Sequence, residues 1–497
     1  MGLTSPASAT AGPSATIRRL LKRAFCKITI HLRKSTLVND RAQYSKFVVV
    51  CKACLLGVVG QRTIEMLSQI GKTLNGKPFP ARRWLDRPGV MAAAILILCF
   101  FADCRMDQQP KQTPNSTLQD STSDTNPNSI HQGAIIIDMH TDTTQRLVDE
   151  QLDIATKLSD GHFDSVRARQ GGLDAQFFSI WVEPQLFGGG GASAIERADK
   201  QIAAVRRLAE QHPETWVLAT SASDIRRIAS EGKMAALVGL EGGYAIDERL
   251  ENVERYYNMG VRYMSPAWSI STSWAGSSND EAGQTRGLND FGKNVIREMN
   301  RLGMMVDVSH VSDKTFWDII NTSTKPIIAT HSGCRAIANV PRNLEDEMIR
   351  AIARGGGVIC VLFYPAFLEP GWEEKKQAVD HEIASLVLSA SEAEPGDVAH
   401  KKMARDQVRR EQYARRLPKV GLARLVDHID HIVKLVGIDH VGIGSDFDGV
   451  QATLSDLATV ADLENLTREL VRRGYSQTDI EKILGGNVLR LMEAVQK

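Results

Sequence analysis

Cysteine is scarce where a fold would need it. Of seven cysteines, five (Cys26, Cys51, Cys54, Cys99, Cys104) lie in the first 104 residues, leaving Cys334 and Cys360 for the rest of the 497-residue chain. Two cysteines cannot staple a body of that size, so a disulfide scaffold is excluded. Cys51-Lys-Ala-Cys54 has no second pair and no nearby histidine, so it reads as incidental rather than as a zinc knuckle. Apolar runs of spanning length are missing too. Val90–Phe101 has 12 residues, against the ~20 that a membrane-crossing helix needs. With 43% hydrophobic and 24% charged residues, the chain is neither wholly disordered nor a polytopic membrane protein. A charge excess of one sign is absent overall, at 60 Lys+Arg against 59 Asp+Glu. It is present locally, because residues 1–90 hold 16 basic and three acidic side chains, leaving a net −12 on the rest. An acidic body argues against nucleic acid as a partner.

The N-terminal region reads in three parts. Residues 1–89 are a basic extension with one apolar patch, Phe47–Val59, and no periodic pattern; an over-extended start of the reading frame is one account of them. Residues 90–104 join the apolar run to Cys104, behind Arg82, Arg83 and Arg87, which suits the hydrophobic region of a secretory signal. Residues 105–133 are rich in Gln, Ser, Thr, Asn and Pro and are expected to form a disordered linker. Run, cysteine and linker resemble a bacterial lipoprotein leader, with Cys104 as the lipid-anchored residue. Asp103 stands where such leaders carry a small residue, so plain secretion stays open beside anchoring. Either way the expected location is the exterior or the cell envelope.

From Ala134 onward the chain has eight apolar runs of strand length: Ala134–His140, Asp174–Val182, Met234–Glu241, Val261–Trp268, Met304–His310, Pro326–His331, Gly357–Tyr364 and His440–Asp446. Most are continuously apolar and β-branched, as fully buried parallel strands are. Stretches with apolar residues three and four apart fall between them, among them Ser193–His212, Asn289–Leu302 and Ala423–Val436. The pattern predicts an α/β fold, a (β/α)8 TIM-type barrel over residues 134–497, behind a non-globular N-terminal region. An open doubly wound sheet would carry a glycine-rich turn after its first strand, and His140-Thr-Asp142 stands there instead. The gap before the eighth strand is too long for one helix. Its charged middle, Glu392–Lys419, predicts a helical insertion between strands 7 and 8, outside the barrel or over its mouth.

Five of the runs end in residues able to bind metal, and strand ends converge on one mouth in a barrel. His140 and Asp142 are two apart, so an extended strand would point both to one face. With Glu241, His310 and His331 they make the ligand set of a two-zinc site. His140, Asp142 and Glu241 would take one Zn2+, and Glu241, His310 and His331 the other. Two ions about 3.5–4 Å apart can share one hydroxide, so Glu241 and a hydroxide are the expected bridges. His162, His381, His400, His428 and His431 are read as structural.

Asp138-Met-His140-Thr-Asp142, Gly239-Leu-Glu241-Gly-Gly, Val306-Asp-Val-Ser-His310, His331-Ser and Gly444-Ser-Asp446-Phe-Asp-Gly449 occur in that order. Together they resemble the membrane (renal-type) dipeptidase family, zinc enzymes of the amidohydrolase barrel superfamily. The resemblance covers residues 134–497, including the closing Gly485-Gly-Asn487-Val-Leu-Arg490. It implies hydrolysis of free dipeptides, with the metal-ligand motifs on the five residues already named. It also implies that Asp446 moves a proton to the leaving amine and lies near the substrate amino group, and that Arg342 pairs with the substrate carboxylate. One departure stands out. The fourth strand of many members ends in a Thr-His pair, and this chain has Trp268 at the histidine's place. Indole donates one hydrogen bond and cannot become a cation, so Trp268 marks the substrate pocket as altered. That keeps open another small amide or ester, such as an N-acyl amino acid, and beyond it a non-catalytic ligand-binding barrel. A homodimer is a further expectation, though no apolar stripe marks its interface.

Overall fold

The computed structural model describes residues 126–396 and 398–497. The basic extension, the apolar run, Cys104 and most of the polar linker lie outside the described residues. Among the described residues, no helix is long and apolar enough to cross a membrane.

The strands are β1 (Ile137–Thr141), β2 (Ala175–Trp181), β3 (Trp216–Leu218), β4 (Met234–Glu241), β5 (Val261–Ser265), β6 (Met305–Val306), β7 (Ile328–Ser332), β8 (Val358–Val361) and β9 (Val441–Ile443). They pair in parallel in the order β6-β5-β4-β2-β1-β9-β8-β7. A single bridge, Asp307 to Ile328, joins the two ends and closes the eight-stranded barrel. The eight apolar runs are its staves. The ninth strand, β3, is an addition that the sequence did not announce, because only Trp216 of its three residues is buried. It pairs with the first residues of β4, and β5 takes over the same edge from Val238.

Side chains of β2 and β4 divide by parity, as a period of two requires. Ala175, Phe177, Ala235 and Leu237 enter one buried cluster, whereas Phe178, Ile180, Ala236, Val238 and Leu240 enter another. Ser179, Trp181, Gly239 and Glu241 continue the first set, so strand parity alone delivers Glu241 to the mouth. Gly239 is required there: a Cβ would lie 2.1 Å from the Tyr263 ring. An extra residue in β1 between Asp138 and Thr141 shifts its register against β2, resetting the direction of His140.

The end of the expected linker is ordered. Helix α1 (Pro127–Gly133) is capped by the Asn126 side chain and buries Ile130 and His131. His131 bonds Thr467 Oγ1 at 2.7 Å and the Gly171 carbonyl at 2.9 Å. Two anchoring side chains suffice to fix seven residues, and an average over a polar stretch hides them. Helix α2 (Gly191–Gln211) buries Ile202, Val205 and Leu208 as its periodicity predicts, together with Arg197 and Gln201. Between β8 and β9 run α3 (Trp372–Ala393) and α4 (Val398–Arg416). The first starts well before Glu392, which lies inside it. Helix α5 (Leu422–Val436) follows, and α6 (Asn487–Gln496) ends the chain. Asn487 donates to the carbonyls of Ile438 and Val441, 2.8 Å each, which pins β9 from below.

Candidate metal centre

The five expected ligands meet at the C-terminal rim. Glu241 ends β4, His140 lies in β1 and His331 in β7, but the other two leave regular structure. Asp142 starts the helix Thr143–Asp149, and His310 follows β6 by four residues. The two-residue spacing of His140 and Asp142 therefore brings them together through a strand-to-helix turn, not along one extended strand. His310 (φ 71°), Asp446 (φ 65°) and Asp448 (φ 62°) adopt left-handed backbone conformations. Such conformations cost energy in residues other than glycine, and here they re-aim the chain at the rim.

Glu241 is the hub. Its Oε2 lies 3.2 Å from His140 Nε2, while its Oε1 lies 2.8 Å from His310 Nε2 and 3.6 Å from His331 Nε2. The two oxygens thus face different histidines. The Nε2 atoms of His310 and His331 approach to 2.8 Å. Two compact groupings suit a cation: His140, Glu241 and His331, and His140, Asp142 and Asp446, each with ligand atoms within 4.8 Å of one another. His140 belongs to both, and Asp446 joins the Asp142 side. His140 Nε2 and Asp142 Oδ1 are buried without a hydrogen-bond partner. Imidazole nitrogens and carboxylate oxygens arranged in this way fit zinc.

Behind the expected ligands, a second set of side chains holds them, and sequence reasoning missed it. His140 Nδ1 pairs with the Tyr263 hydroxyl at 3.0 Å, and His331 Nδ1 with Thr330 Oγ1 at 2.9 Å, leaving each Nε2 for the centre. Ser179 donates to Glu241 Oε2 at 2.8 Å. Asp138 accepts from the backbone and hydroxyl of Ser445, and Asp307 from those of Thr330. The one legible signal was Gly239, whose missing side chain makes room for Tyr263.

Charge in this pocket is unevenly held. Burial opposes a charge on His140, but Glu241, Asp142 and Asp446 push it up to about 10. Glu241 is held well below the carboxylate range, as His140 and His310 overcome its burial. Burial, with Arg342 nearby, brings His310 down to about 4. For Asp446, burial outweighs the pull of His140 and, with Glu241, pushes it up to about 7. It lies 4.0 Å from His140 Nε2. Arg342 is 4% exposed; its Nη2 donates to the His331 carbonyl at 3.2 Å, while Nε and Nη1 are unpartnered.

The sequence profile of the membrane dipeptidase family (Peptidase family M19) matches residues 125–497. The chain belongs to this family. Dipeptidase tcpJ of Claviceps purpurea is 30% identical over 346 residues, 69% of this chain and 71% of that protein. The crystal structure of the probable dipeptidase PvdM from Pseudomonas aeruginosa superposes with a TM-score of 0.62 at 29% identity, over 74% of this chain and 97% of that one. A metallopeptidase from Rhodobacter sphaeroides, liganded with a phosphinate mimic of the dipeptide L-Ala-D-Ala, shares the fold with a TM-score of 0.59 at 24% identity, covering 73% and 99%.

In this member of the family, the centre opens into a cavity of about 900 Å3. Arg342, Asp446 and Trp268 line it, and so do His400, Lys402 and Arg410 of α4, placing that helix at the mouth. Trp268 packs on Trp181 with ring centroids 4.6 Å apart and lies 6.2 Å from the His310 ring. Of the histidines read as structural, His428 is buried and bonds the Cys334 amide and the Leu368 carbonyl. His431 pairs with Asp346. His162 and His400 line the cavity, and His162 exchanges two hydrogen bonds with Asp448, tying loops rather than facing the centre.

Proposed function

We propose that the chain hydrolyses the peptide bond of free dipeptides at a centre of two zinc ions. The observation that carries this reading is Glu241, whose two oxygens face separate histidine sets, as a carboxylate shared by two ions requires. His140 and Asp142 would hold one ion and His310 and His331 the other. Zinc bound there supplies Lewis acidity, polarising a carbonyl and making water acidic near neutral pH.

The remaining work falls to side chains. Arg342 has two buried N–H donors without partners, suited to a substrate carboxylate. Asp446, pushed up to about 7, is matched to accept and return a proton near neutral pH, with the leaving amine as its recipient. Trp268 and Trp181 wall the cavity and exclude water from one side of the substrate. The PvdM and tcpJ relatives support a dipeptide substrate, as does the dipeptide mimic in the Rhodobacter sphaeroides enzyme.

Metal analysis of the purified full-length chain, with dipeptide assays before and after chelation, tests the proposal. About two zinc ions per chain, and chelator-sensitive cleavage of free but not N-blocked dipeptides, is the expected result. Two zinc ions without dipeptide cleavage would overturn it. The second reading, an N-acyl amino acid or similar amide, would then stand, and Trp268 at the place of the family histidine is the observation that favours it.

A further inference from the structure

Asp307 stands where the barrel closes, one residue past β6, and is fully buried. Its Oδ1 accepts from the Ser309 amide at 3.0 Å and from the Thr330 amide at 2.9 Å. One oxygen thus holds the residues that precede His310 and His331. Its Oδ2 accepts from the Thr330 hydroxyl at 2.7 Å. Burial raises the pKa of Asp307, and these donors oppose the rise by favouring the carboxylate. A hydroxyl carries one proton. With that proton given to Asp307, Thr330 Oγ1 can only accept from His331 Nδ1, 2.9 Å away. A neutral imidazole bears its proton on one nitrogen. A proton on Nδ1 therefore leaves a lone pair on Nε2, the atom 3.6 Å from Glu241 Oε1. His140 has no such relay, because its partner, the Tyr263 hydroxyl, has no second partner among the described residues to set its direction.

We propose that Asp307 is a positioning residue that sets the tautomer of His331 through Thr330, so that Nε2 is ready for an ion before one arrives; this rests on the metal-centre reading above. The direction of the relay is a property of the carboxylate. In Asp307→Asn the carboxamide oxygen keeps its place between the Ser309 and Thr330 amides, since an NH2 there would face two N–H groups. The NH2 then takes the place of Oδ2 and donates to Thr330 Oγ1. The hydroxyl proton must turn to another acceptor, and His331 Nδ1 at 2.9 Å is nearer than Ser309 Oγ at 3.4 Å. His331 then exchanges its Nδ1 proton for one on Nε2, which blocks the ligand atom at unchanged charge and nearly unchanged volume.

NMR of the metal-free full-length chain, with isotope-labelled histidine, reads the proton directly, the His331 signal being assigned by its loss in His331→Gln. The parent is expected to carry the proton on Nδ1 and Asp307→Asn on Nε2, a reversal that loosened packing alone would not produce. Competition with a chelator should show one of the two zinc ions held about 10–100-fold more weakly in Asp307→Asn and in Thr330→Val. Thr330→Ser, which keeps the hydroxyl, should bind zinc as the parent does. A parent proton on Nε2 overturns the assignment, as does an Asp307→Asn protein that keeps Nδ1–H or binds zinc like the parent. Equal zinc affinity in Thr330→Val and Thr330→Ser also overturns it, and that pair decides the matter if Asp307→Asn does not fold. If the parent binds no zinc, the metal reading fails separately, and the metal-free NMR comparison still decides the relay.

Discussion

Replacing Arg342 with methionine should make the protein more stable and worse at its work. The guanidinium is fully enclosed, yet it makes one hydrogen bond to protein, and two of its donors have none. Burial lowers its pKa even though Asp446, Glu241 and Asp307 all attract it, so desolvation wins at this position. Each unsatisfied buried donor costs about 1–3 kcal/mol, and the lost bond to the His331 carbonyl returns roughly 1 kcal/mol of that. Methionine keeps a flexible apolar stem over the Phe367 ring, which the guanidinium carbon overlies at 5.3 Å. The net gain after losing the acids' attraction is about 1–4 kcal/mol. Substrate binding moves the opposite way. Losing a two-pronged bond to a carboxylate removes about 3 kcal/mol or more, a fall in kcat/KM of roughly a hundredfold or greater. Urea unfolding of the zinc-loaded proteins reads the first effect, and steady-state kinetics on one dipeptide the second. A variant that is less stable and keeps its kcat/KM would refute the reasoning, because Arg342 would then be a structural ion.

Three further outcomes are expected. Asp446→Asn should retain its zinc and lose turnover by about 10²–10⁴-fold; near-normal rates would remove Asp446 from the proton path. Tyr263→Phe should weaken zinc binding by about 10–100-fold through His140, read by competition with a chelator, and unchanged affinity would show that packing alone orients the imidazole. His428 is held down to about 4 by burial, so the unfolded chain takes up its proton near 6.5 while the native one resists. Stability carried by the neutral ring should therefore fall as pH drops from about 6.5 to 4, by about 3 kcal/mol in all. His428→Gln should flatten that slope in urea titrations at several pH values.

Strand runs were legible because a parallel barrel buries both faces of each strand, leaving continuous apolar segments that end in polar residues. Glu241 and His331 needed nothing more. The structure brings His310 and Asp446 to the same rim, but their left-handed turns were not readable, since histidine and aspartate adopt a positive φ only in some contexts and no glycine marks these positions. The helper residues Ser179, Tyr263, Thr330 and Asp307 were hidden for a different reason. Ser179 and Tyr263 reach Glu241 and His140 across strands, and Asp307 reaches Thr330, the neighbour of His331, across the seam between β6 and β7, so only the barrel's register brings them together.

The closure of the barrel has a mechanical side. Between β6 and β7 the backbone is joined by one bridge, Asp307 to Ile328, with few bonds reinforcing it. His310 lies on one side of that seam and His331 on the other, their Nε2 atoms 2.8 Å apart. If both grip one ion, the seam that hydrogen bonding leaves thin is riveted by the same atoms that serve the chemistry. Loss of the ion would then slacken the barrel wall locally, at the place where the two histidines must stay in register for an ion to return.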